Sequence, residues 1–163
     1  MVNEEVSKMI MNNLFYQRYV NDSGYGKLAP AKAASGVVKD NHWGLVYGGG
    51  FFAGVCLDME IRKNTGNKTS LDDVMRKLYL DFGGKDALID QNTLIRYANK
   101  QGNTDFKTFI ETYIEGTAAM PLQEYFPHAG MQVNLAEEQL QLSHIPEKTK
   151  LQHQIWEGFL GKN

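Results

Sequence analysis

Tyr47, Gly48, Gly49 and Gly50 stand where this 163-residue chain comes closest to a chemical motif. Glycines leading into a helix can aim backbone N–H groups at an anion, and the phenol beside them adds a donor. The fuller phosphate-binding patterns are missing, because no Lys-Ser/Thr pair follows and the glycines lack dinucleotide-loop spacing. The plainer alternative is a flexible approach to a helix, where missing side chains avoid steric trouble. Four histidines, His42, His128, His144 and His153, are scattered; no two stand at metal-ligand spacing and H-E-x-x-H does not occur. No residue is therefore assigned as a metal ligand. Cys56 is the only cysteine, which rules out an intrachain disulfide, and its apolar neighbours predict a buried, inert thiol. Ser70 reads as a helix cap rather than a nucleophile. Asp72-Asp73 and Glu137-Glu138 are adjacent in sequence, so on a helix their carboxylates diverge and are simplest as solvated charges.

The element that must position Tyr47 is the run that follows it. From Phe51 to Leu57 no side chain is charged, and a helix apolar all round belongs inside a packed protein. Asp58, Glu60, Arg62 and Lys63 then mark its emergence from the core, and Asn64-Thr65-Gly66 supplies a left-handed stop. Gly54 inside this helix costs about 1 kcal/mol relative to Ala, which predicts another backbone passing too close for a β-carbon.

Around it the sequence repeats one pattern of cap, apolar stripe and glycine stop. Asn3 begins a helix with Glu4 and Glu5 in its first turn, and Asn21-Asp22-Ser23-Gly24 ends it. Residues 25–43 lack a sustained period and read as a loop with at most one short helix, at Pro30 to Ala34. Ser70 with Asp73 forms a capping box for a helix striped by Leu71, Val74, Met75, Leu78 and Phe82. Asp90 caps the next, from about Gln91 to Lys100. Asp105 or Thr104 caps a fifth, bearing Phe106, Phe109, Ile110 and Tyr113, and Pro121 fits the first turn of a short one. Beyond Gly130, glutamines dilute the pattern. That segment is expected to be a linker or a terminal helix in which Leu151, Ile155, Trp156 and Phe159 cover an edge of the bundle.

The length suits a single core. With 17 basic and 19 acidic residues the net charge is −2 and no Lys/Arg cluster forms, so nucleic-acid binding is excluded as a reading. No stretch is taken as long enough to span a membrane. Glu4 and Glu5 do not suit a signal peptide. The compartment, cytoplasmic or periplasmic, is left open.

Tyr47 to Arg62, then Thr65-Gly66, Ser70 to Met75 and Leu78, resembles the helical half of the glycyl aminopeptidase family of zinc metallopeptidases, within the gluzincin group. Phe106, Phe109, Tyr113, Ile114, Glu115-Gly116-Thr117 and Pro121-Leu122 are similar to that family's Phe-rich helix, Gly-Thr turn and Pro-Leu start. Tyr47 takes the place of the family's tyrosine and Gly50 that of its glycine, while Gly49 stands where the family has a lysine. The resemblance implies that Tyr47 donates its O–H to the oxyanion of peptide hydrolysis, a role in which one donor is worth about 3 kcal/mol. Gly48, Gly49 and Gly50 would line the substrate cleft. It also implies an upstream zinc-bearing half of the same gene product as partner, with zinc there and no cofactor in this chain, which alone would be inactive. The other reading of Tyr47 is a ring packed at a helix start and hydrogen-bonded locally.

The expected architecture is all-α, an irregular bundle of about five to seven helices around the one starting near Phe51. Residues 1–130 would form the helical part and 131–163 a tail. The competing function is a non-catalytic helical interaction module whose binding surface is the loop from Tyr25 to Trp43.

Overall fold

In the computed structural model, which describes residues 3–86 and 88–162, Asn3 caps the first helix as expected, its side-chain oxygen accepting from Glu5 N at 2.9 Å. Helix α1 covers residues 4–20: α-helical over Glu4–Ile10, widened to i→i+5 bonding over Met11–Tyr16, and α-helical again over Gln17–Val20. The following connection holds two short helices, α2 (Pro30–Ala33) and α3 (Val38–Asn41), where one at most was expected.

The long central helix α4 runs Gly44–Asn64, not from near Phe51. Its first turns, Gly44–Gly48, are again π-wound. The early start has a cause 23 residues away in sequence: the Asp22 carboxylate accepts from Leu45 N at 3.0 Å, satisfying a donor of the first turn. At 21 residues and mean hydropathy 1.2, α4 is long and apolar enough to cross a membrane, which corrects the expectation that no stretch is. Its window is 61% buried within the fold, the usual state of a core helix. Gly66 and Asn67 follow in left-handed conformation.

Helix α5 (Leu71–Phe82) carries the expected capping box, with Ser70 N donating to Asp73 at 2.9 Å. Helix α6 (Gln91–Gly102) is capped by Asp90, which accepts from Thr93 N at 2.7 Å. Helix α7 covers residues 107–114, and Asp105 accepts from Lys107 N at its start. Pro121 stands one residue ahead of α8, which is Leu122–Tyr125 extended by a 3₁₀ turn over Phe126–Ala129.

The all-α expectation fails beyond Gly130. Strands β1 (Met131–Ala136) and β2 (Gln139–His144) form an antiparallel hairpin, with Met131 opposite His144 and Ala136 opposite Gln139. Met131 and Val133 alternate inward at period two. The turn places Glu137 and Glu138 at φ 52° and 60°, the geometry of a tight hairpin turn usually built from Asn and Gly. A final helix α9 (Lys150–Phe159) does what the tail was expected to do, burying Ile155 and Trp156. With α9 the described residues contain nine helices, more than five to seven.

One core serves these elements apart from α3, which buries no residue: Phe52, Cys56, Met59 and Ile61 from α4, Phe126, Met131 and Trp156 are each nearly inaccessible. Asp58 and Arg62, expected to mark emergence into solvent, are buried as well. Asp58 accepts from Leu71 N and from Arg62 Nε, both at 2.7 Å, and Arg62 donates to Asn67 at 2.9 Å. This pair locks α4 to the start of α5, and removing one partner of such a pair costs about 3–5 kcal/mol. The chain ends meet elsewhere: Asn12 and Gln17 both donate to Gln139 Oε1 at 2.8 Å, and Asn12 Oδ1 accepts from Leu140 N at 2.8 Å.

Candidate functional site

Tyr47 lies in the π-wound opening of α4 and is 42% exposed. Its ring meets Trp43 one turn earlier, centroid to centroid 5.1 Å, and the Lys39 ammonium sits 4.9 Å from its centroid. The Arg18 guanidinium covers Trp43 at 5.1 Å. Two rings are thus held between two cations, each exposed cation–π contact contributing about 0.5–1 kcal/mol. The Lys39 ammonium also hydrogen-bonds the Tyr47 hydroxyl, and that bond raises the Lys39 pKa. The phenol is therefore positioned through its ring by Trp43 and Lys39.

The three glycines divide. A β-carbon on Gly48 would stand 2.7 Å from the Phe15 carbonyl oxygen and 3.0 Å from Tyr19 Cβ, and one on Gly49 would press on the Tyr19 ring at 3.2 Å. Both face α1 and not a substrate cleft. Gly50 alone is open, with nothing within 4 Å of its β-position. The backbone approach expected at Gly54 is missing too, since its β-position has only Leu71 Cδ2 nearby, at 3.7 Å. That approach occurs instead at Gly44, where a β-carbon would overlap the Arg18 carbonyl. Gly50 and Gly54 form the floor of an apolar cavity of about 250 Å³ walled by Leu71, Met75, Leu94 and Ile114. Met75, expected inward, is 54% exposed at this wall.

His42 is tied to the turn ahead of α2. Its Nδ1 lies 2.7 Å from Asp22 Oδ1, and Asp22 also accepts from Gly24 N and Leu45 N. Burial on its own would raise the Asp22 pKa; His42 and the two backbone N–H groups outweigh it and hold the carboxyl below its usual range. His128, His144 and His153 pair separately with Glu60, Glu4 and Glu157. Among the described residues no group of three His, Cys, Asp or Glu side chains is placed to hold a metal ion. Cys56 is fully buried, and burial pushes its thiol pKa far up, as an inert core residue requires. Ser70 is occupied as a cap.

Sequence reasoning missed the partners of Tyr47. Trp43 stands four residues before Tyr47, a helical spacing that lay hidden because residues 25–43 read as loop, while Lys39 reaches Tyr47 from α3, across the break at His42. No protein-family model, curated protein or solved structure matches the chain.

Proposed function

We propose that the chain is the helical part of a metallopeptidase catalytic domain of the glycyl aminopeptidase type, with Tyr47 donating to the oxyanion of peptide hydrolysis. The observation that carries this reading is the exposure of Tyr47, which stands 42% open to solvent at the start of the central helix. The π-wound turn around it adds support, because such turns are rare and recur at functional positions. Trp43 and Lys39 orient the ring. In this reading the zinc ligands come from an upstream half of the same gene product. That half also completes the substrate cleft, because Gly48 and Gly49 are turned inward.

The test uses the intact gene product, assayed for release of an N-terminal residue from aminoacyl p-nitroanilides. Tyr47→Phe lowers kcat by about 10² while KM and Tm stay nearly unchanged, as for a donor used only in the transition state. An unaltered kcat removes the catalytic role. Coding sequence upstream of Met1 with H-E-x-x-H belongs to the same reading.

The exposed Trp43–Tyr47 pair between Arg18 and Lys39 favours a second reading, a non-catalytic module that binds a protein partner through this surface. An intact gene product without H-E-x-x-H decides for it.

A further inference from the structure

Helices α5 and α6 flank a solvent-open cavity of about 370 Å³ lined by Lys77, Asp81, Arg96, Tyr97, Lys100 and Gln101. Three cations face it against one carboxylate. Asp81 is already committed: Lys77 Nζ lies 2.9 Å from Oδ1, and the Tyr97 hydroxyl donates to Oδ2 at 2.7 Å. Arg96 and Lys100, one helical turn apart, make no ion pair among the described residues; the pairs on these helices are Arg76–Asp73 and Lys77–Asp81. Arg96 also lies over the Tyr97 ring at 5.6 Å, which exposes an aromatic wall beside the cations.

Bringing unpaired like charges to one concavity gains the fold nothing, whereas a cleft lined by one sign of charge concentrates ions of the other. The lining carries an excess of two positive charges, which a dianion neutralises and a monocarboxylate does not. A guanidinium fork next to ammonium groups suits phosphoryl oxygens. We propose that this cavity binds a phosphoryl dianion, carried on a small organic molecule whose body rests against Tyr97. The site is independent of Tyr47 and of peptide hydrolysis.

The test is an NMR titration of the 163-residue chain at pH 7.5 and low salt with phenyl phosphate, inorganic phosphate and benzoate. Saturable shifts at Lys77, Arg96, Tyr97 and Lys100 are expected, strongest with phenyl phosphate and weakest with benzoate. Inorganic phosphate binding as tightly as the ester supports the phosphoryl site and assigns it to the free anion. Arg96→Gln with Lys100→Gln weakens binding by about tenfold or more at unchanged Tm, while Lys107→Gln leaves it intact. Shifts that rise without saturating, benzoate binding as tightly as phenyl phosphate, or full affinity in the double variant would each overturn the proposal.

Discussion

Gly44 with Gly48, and Gly50 with Gly54, are two glycine pairs at the same four-residue spacing on one helix, yet their surroundings are opposite. At the first pair the backbone of α1 presses in, with the carbonyls of Arg18 and Phe15 occupying the space a side chain would need. At the second pair nothing presses in, and the missing side chains leave an open apolar floor. Spacing therefore marks where a helix has lost its side chains without saying what took their place. The position where tight backbone packing was expected, Gly54, is the loose one, and the tight one, Gly44, lies about two turns before the apolar run begins.

Substitutions separate the two pairs by sign. Gly44→Ala drives a β-carbon into the Arg18 carbonyl and must part the helices, a loss of about 3 kcal/mol or more, or about 6–12 °C in Tm. Gly48→Ala follows at about 2 kcal/mol, because Phe15 and Tyr19 are slightly farther away. Thermal unfolding of both variants checks the seam, and a neutral Gly44→Ala breaks it. Gly50→Ala and Gly54→Ala should instead stabilise the chain by up to about 1 kcal/mol, since alanine is the better helix former and its methyl meets open space or ordinary contact. A loss at Gly54 comparable with that at Gly44 would mean that the face is covered in solution, which sedimentation at several protein concentrations would reveal as self-association.

The parts of the fold that were legible are those whose cause is local. Asn3, Ser70 with Asp73, and Asp90 cap helices within four residues of themselves, so the pattern and its reason lie in one window. The hairpin was not legible because Glu137-Glu138 lacks the Asn-Gly signature of its turn, and because glutamines and Asn134 mask the alternation of β1 and β2. The start of α4 depends on Asp22, and the burial of Asp58 and Arg62 depends on Leu71 N, partners that no periodicity announces. Tyr47 was singled out from residue type and resemblance, and the structure places it half-exposed at the start of α4. The inward turn of Gly48 and Gly49 was not foreseen, since it is set by α1, more than twenty residues upstream.

The meeting of the two chain ends has a consequence for the order of folding. Asn12 bonds Gln139 across 127 residues, whereas Asp58 bonds Leu71 across 13. Closing the longer loop costs about 2 kcal/mol more in chain entropy, so the joint between α4 and α5 can form early while the hairpin docks onto α1 late. A contact made after the rate-limiting step governs how fast the protein comes apart, not how fast it assembles. Asn12→Ala should accordingly speed unfolding in stopped-flow chevrons and leave the folding rate nearly unchanged, while Asp58→Asn slows folding. If Asn12→Ala slows folding to the same extent, the two ends are already together at the barrier and the nucleus spans the whole chain.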